Sequence, residues 1–315
     1  MRGFFPVVAA SVVVVLAACS SGSVDDAGDS IDSATDDTTS GSDTARADSV
    51  VGDADVDAVP NADAPKDTTV ADSVVPPSDS GPDPTDRSKC TIDPDKAFVT
   101  HRTAKTSTGG SMKYVGFAPT GYDPKSPLTL VIALHGAGDT MDNYFAAVWQ
   151  SNASSKKFLV VTPEGSAAVG PGFTWNGSDA NSILDVIDDF AACYSVDPRK
   201  RIIHGFSAGG VMAYLIGLQA AELFSGISIS SSDLGTAEAI AGKRLVPGVA
   251  AWKIPLSQTH GTSDTNFPIA QARAGRDRLI AAGHKFDWHE FAGGHTTSAS
   301  LVGMTYDDLA GSTSP

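Results

Sequence analysis

Gly205-Phe206-Ser207-Ala208-Gly209 sets one serine between two glycines, where an apolar run, Arg201–Phe206, gives way to a run with helical spacing, Ala208–Gln219. A G-x-S-x-G pentapeptide alone carries little weight. At a strand-to-helix junction it has a mechanical meaning, because a sharp turn there projects the serine while its backbone brushes neighbouring elements. Ala208, Gly209 and Gly210 supply the room that such a turn needs. A serine hydroxyl attacks well only when a base takes its proton, and the base must be held in one tautomer by an acceptor.

Downstream of Ser207 the histidines are His260, His284, His289 and His295. His295 follows Ala292-Gly293-Gly294 in a loop just past the last apolar run, which suits an imidazole reaching back towards the serine. His289 lies within that run and His284 precedes it, so both read as structural or surface residues. His260 ends a run and opens His260-Gly261-Thr262-Ser263-Asp264. Two acids are candidates for the third position: Asp264 in that loop and Asp233 in Ser230-Ser231-Ser232-Asp233. Each falls just past the carboxyl end of a strand, where catalytic groups collect in α/β sheets. Each could equally be a turn former. Negative charge developing on a substrate would need two backbone N–H groups. Ala208 offers one, and Ala137 in His135-Gly136-Ala137-Gly138-Asp139 the other, with His135 bracing that loop. Trp175, after a Gly/Pro-rich stretch, reads either as an acyl-pocket wall or as local packing, and Met141–Trp149 as a further wall. No Cys/His spacing implies a metal, and nothing calls for a cofactor.

These groups need a scaffold. Met112–Ala118, Leu128–Leu134, Phe158–Thr162, Arg201–Phe206, Gly226–Ser230, Ile254–His260 and Lys285–Phe291 read as strands. Ile183–Tyr194, closed by Pro198, then Ala208–Gln219 and Ala270–Ala282 read as helices. Short apolar strands alternating with helices predict a mostly parallel sheet covered on both faces, an α/β class domain.

Composition divides the 315 residues into three parts. Residues 1–18 are a basic start and an apolar run too short for a usual membrane span, ending Leu16-Ala17-Ala18-Cys19. This is the pattern of a bacterial lipoprotein signal, with Cys19 lipidated, or else of a plain secretory signal with an incidental cysteine. Residues 19–89 follow as an acidic linker. From Ser20 to Lys89 there are seventeen Asp and no Glu against four Lys and Arg, a net charge of −13 out of −15 for the whole chain. Such a segment cannot offset its ordering entropy and is expected to be a disordered spacer. Residues 90–315 form the globular domain, with a net charge of about −3 and no basic face for nucleic acid. The expected placement is an exported lipoprotein of the cell envelope, held at the outer membrane or cell surface through Cys19. In an oxidising compartment Cys90 and Cys193 could form a disulfide, or Cys193 could be a small buried hydrophobe.

Over residues 100–300 the domain resembles the polyhydroxybutyrate depolymerase and feruloyl esterase group, the carbohydrate esterase family one type of α/β hydrolase. The shared stretches are Gly121-Tyr122-Asp123-Pro124, Leu134-His135-Gly136-Ala137-Gly138, Thr162-Pro163-Glu164-Gly165 and Val196-Asp197-Pro198-Arg199, then Gly205-Phe206-Ser207-Ala208-Gly209-Gly210, His260-Gly261-Thr262-Ser263-Asp264 and Gly294-His295. The resemblance implies an α/β-hydrolase fold, a Ser207–Asp264–His295 triad and an oxyanion hole from Ala137 and Ala208. It is the resemblance that favours Asp264 over Asp233. It implies a serine esterase acting on feruloyl or acetyl esters of polysaccharide, or on short polyester oligomers. A serine peptidase of the same fold and a non-catalytic surface binding protein are the alternatives. Where many members have a cysteine in the oxyanion loop and a Cys-x-Trp beyond, this chain has Ala137 and Phe173-Thr174-Trp175, so no disulfide can form there.

Overall fold

The computed structural model describes residues 98–246 and 252–315. The expected signal segment, Cys19, the acidic linker and Cys90 all lie outside the described residues. Cys193 is buried and disulfide-bonded.

An eight-stranded sheet organises the domain, in the order β1-β2-β4-β3-β7-β8-β9-β10. Its strands are β1 (Phe98–Lys105), β2 (Ser111–Ala118), β3 (Leu128–Leu134), β4 (Leu159–Pro163), β7 (Val196–Phe206), β8 (Gly226–Ser230), β9 (Leu256–Gly261) and β10 (Phe286–Phe291). From β4 to β10 all neighbours pair in parallel, and β2 alone runs antiparallel to both β1 and β4. The central strands β4 and β8 and most of β3 are buried along their length, as expected for strands covered on both faces. A separate hairpin, β5 (Ala167–Val169) and β6 (Gly172–Thr174), stands beyond the carboxyl end of β4.

Helices cover the two faces unequally. On one lie α3 (Asp179–Ala191), α4 (Ala208–Gln219), α5 (Leu234–Ala241) and α6 (Ile269–Ala281), which share a core with Leu130, Ile132, Ile203 and Ile227. On the other lie α1 (Met141–Tyr144), a π-helical stretch (Phe145–Trp149), α2 (Gln150–Lys156) and α7 (Ala299–Leu309), packed on Val131, Ala133, Val160 and Ile202. Helix α4 is buried from Ala208 to Leu218, so it is apolar all round rather than striped. The chain leaves β3 for β4 on one side and leaves β7 for β8 on the other. The carboxyl ends of β3 and β7 therefore flank the crevice at the sheet's topological switch point, where ligands of such sheets bind.

The strand and helix readings correspond to observed elements, most within one or two residues. Two differ for identifiable reasons. Strand β7 begins at Val196 rather than Arg201, because its register on β3 jumps between Leu128↔Val196 and Leu130↔Arg201. The irregularity accommodates Pro198, which cannot donate to a ladder. Helix α3 begins at Asp179 rather than Ile183 and ends at Ala191, its buried stripe being Ile183, Val186, Ile187 and Phe190. The sequence reading assigns no element to β1, α1, α2, β5, β6, α5 or α7. In β1 the alternation is of half-buried and exposed residues on an edge, without an apolar run to mark it.

Candidate active site

Ser207 occupies the turn between β7 and α4 with φ 55° and ψ −120°, a conformation that L residues rarely adopt. Such backbone strain costs about 1–3 kcal/mol, and it persists only where the surroundings over-determine it. Here they do. A Cβ on Gly205 would lie 2.0 Å from the Gly209 carbonyl oxygen, and one on Gly209 would lie 2.2 Å from the Leu134 carbonyl oxygen. On Gly210 it would meet the Ser232 Cβ at 2.6 Å. The Ser207 N–H donates to the Ser230 carbonyl at 3.1 Å, fastening the turn to β8. The pentapeptide is therefore a close three-way crossing of β3, β7 and α4, with the serine hydroxyl projected from its apex.

The structure brings Ser207, His295 and Asp264 together from three loops. His295 Nε2 lies 2.9 Å from Ser207 Oγ, and His295 Nδ1 lies 2.9 Å from Asp264 Oδ2. The other carboxylate oxygen accepts the Asn266 and Phe267 N–H groups, each at 2.9 Å. Burial opposes the charge on Asp264, but the His295 hydrogen bond and these two amides outweigh it and hold the carboxyl below its ordinary value. An ionised Asp264 can only accept, so the imidazole carries its proton on Nδ1 and presents an Nε2 lone pair to the serine. The two loops touch through backbone: Ser263 N–H donates to Gly293 O at 2.8 Å, and a Cβ on Gly261 would strike Gly294 O. Asp233, the rival acid, is spent elsewhere. It caps α5, accepting from Thr236 N–H at 2.9 Å and from the Thr236 hydroxyl at 2.8 Å.

The loop after β3 faces the elbow. His135 is buried; its Nε2 accepts the Gly165 N–H at 3.1 Å and its Nδ1 faces Gly136 O at 2.8 Å. Burial holds its pKa down, so the ring is a neutral brace. The β5–β6 hairpin clamps the loop from outside: Gly138 N–H donates to Phe173 O and Phe173 N–H to Asp139 O, both at 2.9 Å. With Gly138 and Asp139 so engaged, the Ala137 N–H makes no hydrogen bond among the described residues. Ala208 opens α4, where helical N–H groups lack an intrahelical acceptor.

Two expected pocket residues are corrected. Trp175 is fully buried; its ring lies tilted against His135 and it donates from Nε1 to the His135 carbonyl at 2.8 Å. It supports the loop after β3 through His135 and does not line an open pocket. Met141–Trp149 likewise turns Met141, Tyr144, Phe145, Val148 and Trp149 into the core beside α7. Sequence reasoning also missed the rings around the imidazole. Phe206 and Phe267 both stack on His295, at 5.0 and 5.7 Å between centroids. Phe206 sits inside the serine pentapeptide and so was within reach of the sequence; Phe267 carries no local signal. Among the described residues no group of three or more His, Cys, Asp or Glu side chains could hold a metal ion.

Comparison with known proteins places this geometry. Residues 178–309 match the family model described as Phospholipase/Carboxylesterase. The chain is 27% identical over 194 residues to a poly(3-hydroxyalkanoate) depolymerase C of Paucimonas lemoignei, covering 52% of this chain and 46% of that one. It is 28% identical over 167 residues to a probable feruloyl esterase C of Aspergillus terreus, covering 50% and 56%. The chain thus spans about half the length of these curated relatives. Among solved structures, an S-formylglutathione hydrolase from Staphylococcus aureus superposes with a TM-score of 0.53 at 16% identity, over 68% of this chain and 99% of that one. The fold is that of the α/β hydrolases, and the resemblance to the polyhydroxybutyrate depolymerase and feruloyl esterase group stands.

Proposed function

We propose that this chain is a serine esterase that cleaves carboxylic esters through an acyl-enzyme on Ser207. The observation that carries the reading is the unbroken hydrogen-bond chain from Ser207 Oγ through His295 to Asp264. In this reading Ser207 Oγ attacks the ester carbonyl as His295 Nε2 takes its proton. The Ala137 and Ala208 N–H groups receive the oxyanion, an interaction worth roughly 3–4 kcal/mol per donor in comparable sites. The tetrahedral adduct collapses when His295 returns the proton to the leaving alkoxide, releasing the alcohol. Water, deprotonated by the same imidazole, then attacks the acyl-enzyme; the acid leaves and the serine regains its proton. Asp264 keeps the imidazole aimed and offsets its transient positive charge.

The favoured substrates are feruloyl or acetyl esters of polysaccharide, with short polyester oligomers next; relatives named for each kind of ester support the class. An exported protein anchored by lipid at Cys19, with residues 19–89 as spacer, would present the domain to such substrates outside the cell. That placement is checked by the mass of the mature N-terminal peptide, which should begin at Cys19 and carry acyl chains.

The activity is tested by hydrolysis of p-nitrophenyl acetate and methyl ferulate by the full chain and by Ser207→Ala. Loss of turnover on the order of a million-fold in the mutant is the expected result. A folded wild-type protein inert towards both esters would overturn the reading and bring a peptidase or a binding protein forward.

A further inference from the structure

Behind the Asp264 carboxylate lies a second histidine that the mechanism above does not use. His260, in β9, is fully buried, and its Nε2 is 2.8 Å from the Phe267 carbonyl oxygen and 3.5 Å from Asp264 Oδ2. Its Nδ1 lies 3.0 Å from Gln258 Nε2. Gln258 is itself fixed from two further sides: Nε2 reaches the Ser232 carbonyl at 2.7 Å, and Oε1 receives the Tyr214 hydroxyl at 2.6 Å.

The protons along this chain can be assigned from the groups alone. A backbone carbonyl only accepts, so the Gln258 atom facing Ser232 O must be the amide nitrogen. That nitrogen only donates, so His260 Nδ1 must be an acceptor without a proton. At the far end Phe267 O also only accepts, so His260 Nε2 must carry one. Two independent ends demand the same neutral tautomer, Nε2–H. An imidazolium would set an Nδ1–H against the amide hydrogens of Gln258. Despite its nearness to Asp264, His260 is therefore no ion-pair partner. Burial depresses its pKa most, and His295 adds to that; Phe267 O, Asp264 and Asp233 pull the other way without prevailing. The remaining neighbour is the Trp288 ring of β10, stacked at 5.9 Å.

We propose that His260 is a positioning residue for the Asp264–His295 pair, acting as a permanently neutral Nε2–H donor held by Gln258 and Tyr214. The single N–H restrains the turn from Asp264 to Phe267 at its last carbonyl, with the carboxylate 3.5 Å from the same nitrogen. Through that turn it governs two contacts on the base: the Asp264 oxygen that holds Nδ1, and the Phe267 ring stacked on the imidazole. The triad thus continues into the core as Asp264–His260–Gln258–Tyr214. Its effect on rate rests on the esterase reading, but its protonation does not.

The protonation is measured first, by nitrogen-15 NMR of the imidazoles in the full-length wild-type chain. His260 should remain the neutral Nε2–H form between about pH 5 and 8, the range where an ordinary histidine changes charge. An Nδ1–H tautomer or an imidazolium in that range overturns the proposal, whatever the activity. The rate is then compared in His260→Leu, which removes the donor, and His260→Gln, whose Nε2 can replace it. Turnover is expressed per active serine titrated with a fluorophosphonate, so that loss of folded protein is not counted. His260→Leu should lower kcat on the order of 100-fold with KM little changed, the scale of a misplaced catalytic group. His260→Gln should recover most of it. Wild-type kcat per active serine in His260→Leu, or no recovery in His260→Gln, overturns the positioning role. If His260→Leu does not fold, recovery in His260→Gln and the tautomer decide. Retained turnover in Ser207→Ala would instead sink the esterase reading and leave the His260 tautomer standing.

Discussion

The two halves of the candidate site are held in place by opposite means. The serine elbow is fixed by exclusion: Gly205, Gly209 and Gly210 sit where backbone or side-chain atoms of β3, α4 and the loop after β8 leave no room for a Cβ. The acid–base half is fixed by attraction. Asp264 and His295 come from separate loops and are aimed by hydrogen bonds from Phe267, Asn266 and each other. A steric constraint tolerates strain, and Ser207 is strained. A polar network tolerates almost no missing partner, since a buried donor or acceptor left unpaired costs about 1–3 kcal/mol. The contrast predicts that mutations of the elbow glycines should strike folding, while mutations in the acid–base half should strike turnover.

After loss of the nucleophile itself, the largest effect should come from Asp264→Asn, which keeps the shape and removes the charge that fixes the His295 tautomer. We expect kcat to fall about 10⁴-fold with little change in melting temperature; a large loss of stability instead would break the contrast. Gly209→Ala should do the reverse. With its Cβ directed at the Leu134 and His135 carbonyl oxygens, it should cost about 3 kcal/mol or more in chemical denaturation. An alanine variant of wild-type stability would show that the elbow is not sterically set.

Glu238 tests whether attraction of the same kind can serve stability alone. It is nearly buried and accepts from Arg278, Arg244 and the Leu245 N–H, joining α5 to α6 away from Ser207. Burial raises its pKa, but these donors more than compensate and bring it from 4.5 to about 2. A depressed carboxyl stabilises the fold fully above pH 4.5 and loses that contribution as pH falls towards 2. Allowing for solvent screening of the more exposed arginines, the contribution is on the order of 2 kcal/mol. Glu238→Gln should therefore lower stability at pH 7 by about that much, narrow its gap to wild type in acid, and leave kcat unaltered. The smallest effect is at Ser207 itself. Glycine relieves the positive φ and alanine does not, so Ser207→Gly should be more stable than Ser207→Ala by about 1 kcal/mol. Equal stabilities would remove strain from the account of the elbow.

How much of this was legible in the sequence follows the same division. The elbow could be read because its demands are met within six consecutive residues, Gly205 to Gly210. Leu128–Leu134, Ala208–Gln219 and Gly226–Ser230 could be read to the residue, because each is a buried apolar run with a clear stop. The acid–base half was only partly legible. Histidine and aspartate past the ends of strands pointed to the right loops, yet only the family resemblance favoured Asp264 over Asp233, which the structure shows capping a helix. Trp175 stayed open between pocket wall and local packing, because a tryptophan after glycines shows neither that its ring packs on His135 nor that its N–H is spent on a carbonyl. His260, Gln258 and Tyr214 offered no signal as a chain, since their partners Phe267 and Ser232 lie several to many residues away.

By itself, then, the sequence determined the core strands and helices from β2 to β10, the place of the sharp turn and the residue at its apex. These depend on side-chain periodicity and on the space each Cβ needs, both local properties of the chain. Only the tertiary structure decided which carboxylate meets His295, which rings flank it, and on which nitrogen His260 carries its proton. Those follow from hydrogen bonds between residues that only folding brings within reach, and a side chain's chemistry is set by the partner it finds there.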